Sequence, residues 1–159
     1  MSDEQRSAAC LAVGSELLGD EKLDRNSLTI TRALARYGIA VIEKRVIGDD
    51  VDGVASAIRD LIARHDLVVV TGGLGPTADD VTRDAVAAAL ERPINHSDEV
   101  ERLIRARYAA HGRAMPVYGP AMARVVEGGR ILPNNRGTAP GMLFDLRGRL
   151  LAVLPGPPW

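Results

Sequence analysis

With one cysteine, Cys10, among 159 residues, the chain has no internal disulfide. Its position in an apolar run makes it a small buried hydrophobe. Charge of one sign is equally scarce. Acids and bases are interspersed and sum to a formal net charge of -1, so no basic face is offered to nucleic acid. No apolar stretch approaches the roughly 18 residues of a membrane span, and "MSDEQRSAAC" lacks the basic-then-apolar order of a secretion signal. These absences predict a cytoplasmic protein without nucleic-acid or membrane partners. His65, His96 and His111 are too scattered for metal-ligand spacing and are expected at the surface. No serine or cysteine sits in an elbow motif, which removes covalent acyl catalysis. Without repeats, linkers or low-complexity tracts, residues 1–159 read as one domain with a real core.

What is present is an alternation of strands and helices. Residues 8–13 form a short apolar run ending at Gly14, the pattern of a buried strand. Ile30, Leu34 and Tyr37 have helical spacing, with Asn26 or Ser27 as cap and Gly38 as stop. A second strand follows over 39–47, then a helix with the stripe Val54, Ile58, Leu61 and Ile62, then a third strand over 67–70. Val100, Leu103, Ile104 and Tyr108 mark another helix, residues 115–126 are less regular, and 142–146 with 149–154 form a hairpin turning at Arg147-Gly148.

This order predicts an α/β protein with a mostly parallel sheet covered on both faces, right-handed crossovers, and a C-terminal β-hairpin. Ligands of such sheets gather at the carboxyl ends of the strands, so the exits at Gly14 and Gly72 should face one crevice. The last apolar strand ends at Leu154, and "PGPPW" leaves nothing to cover that part of the sheet with a further helix. The domain is therefore expected to be truncated at its C-terminus.

The third strand runs into "TGGLGPTADD", residues 71–80. Gly73, Gly75 and Ala78 match dinucleotide-loop spacing, but that fingerprint normally opens at a first strand. No Gly-Lys-Ser/Thr follows, so the loop is not the phosphate loop of a nucleotide triphosphatase. It remains a glycine turn whose N–H groups can approach an anion at a positive helix end. Asp79 and Asp80 there serve either as cap and dipole partner, or as carboxylates for a divalent cation beside a phosphate. An acid at this place could equally accept the N–H and O–H donors of a heterocycle or sugar. Asp49, in "GDD" after the second strand, and Glu16, after the first, can reach the same crevice. "NNRGTAPGM", residues 134–142, adds side-chain donors and the Thr138 hydroxyl.

Together "GSELLGD", "VIGDDVDGV", "TGGLGPTADDVTRDAV", "RGTAPGM" and "LPGPP" resemble the N-terminal domain of the competence/damage-inducible protein A (CinA) family. The resemblance implies the molybdopterin-binding-like fold of the MoaB/Mog superfamily, a three-layer α/β/α domain that binds a pterin or nucleotide at the strand exits and forms a homo-oligomer. It places ligand contacts at Thr71, Gly72, Gly73, Gly75 and Thr77, with Glu16, Asn26 and Thr138 around them. It gives functional positions at Asp80 and Asp49, and makes Asp79 and Asp80 the paired acids of the CinA branch.

The activity implied is metal-dependent hydrolysis of ADP-ribose or a related dinucleotide pyrophosphate, with Mg²⁺, Mn²⁺ or Co²⁺. The alternatives are molybdopterin binding with adenylyl transfer in molybdenum cofactor biosynthesis, and a non-catalytic pterin or nucleotide module. Ser15 stands where the family motif usually has aspartate, while Glu16 is kept. The deamidase domain of many CinA proteins is not represented, so deamidation is not expected of this chain.

Overall fold

The computed structural model describes residues 6–20 and 22–156. Pro157 and Pro158, the end of the "LPGPP" motif, lie outside the described residues. Strand β1, Ser7–Val13, is buried from Ala8 onward. Helix α1, Arg25–Ala35, starts at Asp24, whose carboxylate accepts the Ser27 N–H. The cap is thus Asp24 in place of the expected Asn26 or Ser27, because only a side chain three residues upstream reaches that orphan donor. Tyr37 falls beyond the helix and is exposed; it does not join the Ile30–Leu34 stripe.

Strand β2, Ala40–Ile47, leads to α2, Val51–Arg64, capped by Asp50. Val54, Ile58 and Leu61 of α2 are fully buried, each contributing roughly 1.5–3 kcal/mol by transfer from water. Strand β3, Leu67–Thr71, is buried from Val68 onward. It is followed by α3, Thr82–Leu90, a short strand β4, Ile94–His96, and α4, Asp98–Ala110. A 3-10 turn, Gly119–Ala123, leads into β5, Arg124–Val126, then β6, Arg130–Leu132. Strands β7, Gly141–Leu146, and β8, Arg149–Leu154, form the expected hairpin. Leu103 of the α4 stripe is exposed, whereas Val100 and Ile104 are buried.

The main sheet has the order β2-β1-β3-β8-β7-β6, and β4 with β5 makes a separate ribbon. Pairs β1–β2, β1–β3 and β3–β8 are parallel, and β6–β7 and β7–β8 antiparallel. The step from β1 to β2 runs toward one edge and those from β2 to β3 and β3 to β8 run the other way, so α1 lies on one face and α2 and α3 on the opposite face. Leu11, Val68, Val70, Leu151, Val153 and Phe144 form the core with α2 and α3. The register places Cys10, Val69, Ala152 and Leu143 in one row on the α1 side. Cys10 and Val69 are buried there, and Ala152 and Leu143 are only partly buried.

His65 corrects an expectation. It is buried, with Nε2 3.0 Å from Glu43 Oε2, because the end of α2 packs against β2. His96 and His111 are exposed. Among the described residues, no helix is long and apolar enough to cross a membrane.

Candidate functional site

Four parallel strands end side by side in the order β2, β1, β3, β8, and their exits frame a cleft of about 700 Å³. The Gly14 and Gly72 exits share it. One wall carries Glu16, Asn26 and Asp49, the floor is Thr71 with Gly72 and Gly73, and the opposite wall carries Gly75, Thr77, Asp79, Asp80 and Thr138. The topology therefore brings every residue selected from the sequence to one concave surface.

The glycine loop is shaped by contacts that no side chain would allow. Gly72 and Gly73 have φ of 98° and 62°, the left-handed region that favours glycine. A Cβ on Gly72 would lie 2.1 Å from Val13 O, and one on Gly73 2.3 Å from Thr82 Oγ1. Four successive carbonyls of the loop are held by the first two residues of α3. Thr82 Oγ1 donates to Gly72 O at 2.8 Å and Thr82 N to Gly73 O at 3.2 Å. Arg83 Nη2 donates to Leu74 O at 2.7 Å and Nη1 to Gly75 O at 3.2 Å. Because each peptide is planar and trans, the N–H groups of Gly73 and Leu74 are turned away from α3.

Asp80 does not cap α3. The cap position is Val81 and has no side-chain hydrogen bond. Instead Asp80 Oδ1 accepts from Gly75 N at 2.7 Å, and Oδ2 accepts from Thr77 N at 2.9 Å and Thr77 Oγ1 at 2.6 Å. Asp79 is exposed on the cleft rim. Thr138 Oγ1 lies 3.7 Å from Met122 Sδ.

Across the cleft, Ser15 N donates to Asp49 Oδ2 at 2.9 Å and Asp49 N to Ser15 Oγ at 3.0 Å. This reciprocal clamp ties the β1 exit to the β2 exit, and Ser15 supplies in it the acceptor role that an aspartate could fill. Glu16 is half-exposed, with Lys22 Nζ at 3.9 Å. Asn26 Nδ2 donates to Gly156 O, fastening α1 to the segment after β8.

Arg83 is the participant that sequence reasoning missed. Its side chain is buried, and burial pushes its pKa down to about 10, against the nearby Asp80 charge that raises it. In sequence it is one arginine in "DDVTRDAV", with nothing to separate it from a solvated helix residue. Asn134 belongs to the stretch expected to supply side-chain donors, and it donates from Nδ2 to Ala139 O at 3.0 Å. Its Oδ1 accepts from the N–H groups of Arg136 and Gly137, at 3.0 and 2.9 Å, and shapes the loop that carries Thr138. Among the described residues, no three His, Cys, Asp or Glu side chains converge as a metal site.

A family model described as a probable molybdopterin binding domain matches residues 9–159. The crystal structure of CinA from Thermoplasma acidophilum, a protein described as of unknown function, superposes with a TM-score of 0.86 at 30% identity, covering 95% of this chain and 88% of that one. The chain belongs to the molybdopterin-binding-domain family, in its CinA branch. A CinA-like protein from Solibacter usitatus is 48% identical over 151 residues, which are 95% of this chain and 36% of that relative. The CinA-type domain thus spans about a third of the length of the curated relatives it matches. A molybdopterin biosynthesis protein from Mycobacterium abscessus, at 20% identity, shares the fold with a TM-score of 0.61, covering 96% of this chain and 82% of that one.

Proposed function

We propose that the cleft binds a nucleotide pyrophosphate and that the domain hydrolyses it with a divalent cation, ADP-ribose being the test compound. The observation that carries this reading is the loop over 72–75, whose carbonyls are all drawn to the start of α3. That arrangement leaves the Gly73 and Leu74 N–H groups facing away from α3 to meet phosphate oxygens, beside a positive helix end.

The donor set fits a cation shared with the ligand better than one held by protein alone. Asp79 is exposed, and Asp80 already accepts three hydrogen bonds. Mg²⁺ typically needs only one or two carboxylates when substrate phosphates complete its shell. When bound, such a cation would neutralise phosphoryl charge and make a coordinated water more acidic. Asp79 and Asp80 would hold it, while Asp49 and Glu16 orient the ligand from the other wall. Hydrolysis adds water across the bridging P–O–P link and yields AMP and ribose 5-phosphate.

A second reading, molybdopterin binding with adenylyl transfer, is favoured by the family match and by neighbours described as molybdopterin biosynthesis proteins. A passive module would bind without turnover. Calorimetry of ADP-ribose with Mg²⁺, Mn²⁺ or Co²⁺ and with chelator, followed by product assays, separates the three. The expected result is tighter binding with metal, and AMP as product. Metal-independent binding without hydrolysis would defeat the proposal, and an adenylylated pterin formed from ATP would establish the second reading. We further propose that the domain acts in the cytoplasm as a homo-oligomer.

A further inference from the structure

We propose that Arg83, buried behind the glycine loop, is a positioning residue that fixes the loop backbone for a phosphoanion and supplies positive charge to it without touching it. The inference rests on the reading that the loop receives an anion, and not on hydrolysis. Arg83 is 3% exposed, yet among the described residues its hydrogen-bond partners are backbone carbonyls: Leu74 O at 2.7 Å, Gly75 O at 3.2 Å and Met122 O at 3.3 Å. Among the described residues it forms no salt bridge.

A buried cation is ordinarily paired, because desolvation penalises the charged form. Here burial lowers the pKa to about 10, which still leaves the group charged at neutral pH. The fork has a second consequence. Drawing the Leu74 and Gly75 carbonyls back removes their negative ends from the side an anion would approach, and the Leu74–Gly75 peptide is fixed at both ends, its C=O by Arg83 and its N–H by Asp80. One guanidinium therefore holds the loop's shape and sets a positive charge behind it, opposing the Asp80 carboxylate bound to the same loop. A lysine could supply the charge but not the two-pronged geometry.

The test compares the full wild-type chain with Arg83→Gln and Arg83→Lys, using ADP-ribose and inorganic pyrophosphate, each with Mg²⁺. Arg83→Gln is expected to weaken both by roughly tenfold or more. Arg83→Lys is expected to retain part of the affinity near pH 7 and to lose it progressively toward about pH 9, since a buried ammonium gives up its proton where a guanidinium does not. With ADP-ribose, whose pyrophosphate has no group titrating over that range, the wild type should stay nearly flat; with inorganic pyrophosphate, which does titrate there, the readout is the ratio of variant to wild-type affinity at each pH. A role confined to packing would weaken binding without that pH dependence.

Wild-type binding that is matched by Arg83→Gln, or a pH-independent Arg83→Lys, overturns the inference and leaves the proposed function standing. A wild type that binds neither probe overturns both. If both variants fail to fold, ¹⁵N-arginine spectra of the wild type decide. The buried guanidinium, whose protons exchange slowly, should shift on adding pyrophosphate and Mg²⁺, and an unmoved signal overturns the inference.

Discussion

At the residue scale, Asp79 and Asp80 are adjacent yet separable. Asp80 accepts from Gly75 N, Thr77 N and Thr77 Oγ1, so Asp80→Ala strips acceptors from two backbone donors and should destabilise the domain by about 1–3 kcal/mol. Asp79 is exposed, and Asp79→Asn should change stability by less than about 0.5 kcal/mol. Ligand binding should rank them differently. Asp79→Asn is expected to abolish the tightening of ADP-ribose binding by Mg²⁺, because it removes the carboxylate left for a shared cation. Asp80→Asn should lower both stability and metal-linked binding, with the smaller stability loss of a group that still offers one acceptor. Chemical denaturation and calorimetry on the three variants check this. If Asp79→Asn and wild type respond identically to metal, Asp79 has no part in holding a cation.

At the element scale, the β7–β8 hairpin turns at Arg147 and Gly148, with φ of 57° and 92°. Arginine is a poor occupant of that region, so Arg147→Asn, which suits the first position of this turn, should raise stability by roughly 0.5 kcal/mol; a lower thermal midpoint would contradict it. The joint between β2 and α2 makes a pH prediction. Arg64, His65 and Arg45 hydrogen-bond Glu43 and hold its pKa at about 2, below its ordinary 4.5. A depressed carboxyl contributes stability above its unfolded pKa and loses it as pH falls through the folded value. The wild-type midpoint should therefore drop as pH falls from 4.5 toward 2, and Glu43→Gln should show a shallower drop. Parallel curves would remove Glu43 from the acid response. The same elements show what the sequence could and could not reveal. Strands β1 and β3 were legible because buried parallel strands are continuous apolar runs, and the exit rule then located the cleft. Strands β4, β5 and β6 have three residues each, too few to display a period of two. His65 is buried by a partner 22 positions away, and Arg83 becomes part of the site only when the start of α3 folds back on the loop. Such pairings depend on tertiary contact and leave no local pattern.

At the scale of the whole molecule, the two faces of the sheet are unequally covered. The face under α2 and α3 is packed with fully buried Leu151, Val153 and Phe144. On the α1 side, the row from Cys10 and Val69 continues to Ala152 and Leu143, which are only partly buried, and Leu150 on the same face is 38% exposed. A sheet with parallel strands is normally covered on both sides, so this row is a surface at which burial would release water from apolar groups. We expect a second copy of the chain to cover it. Sedimentation across a concentration series should show the mass rising above that of the 17.0 kDa monomer, and the thermal midpoint should rise with it, because association stabilises the folded state by mass action. Replacing Leu143 and Ala152 together by lysine should shift the chain to monomer and remove the concentration dependence. At the lowest concentration the midpoint should change little, since both side chains already meet solvent in the single chain. A wild type that remains monomeric at every concentration, with one cooperative melt, would show that this face needs no partner. An oligomer that persists unchanged in the double variant would place the contact elsewhere, leaving the exposed Ile42 and Val46 on the edge strand β2 as the next surface to substitute.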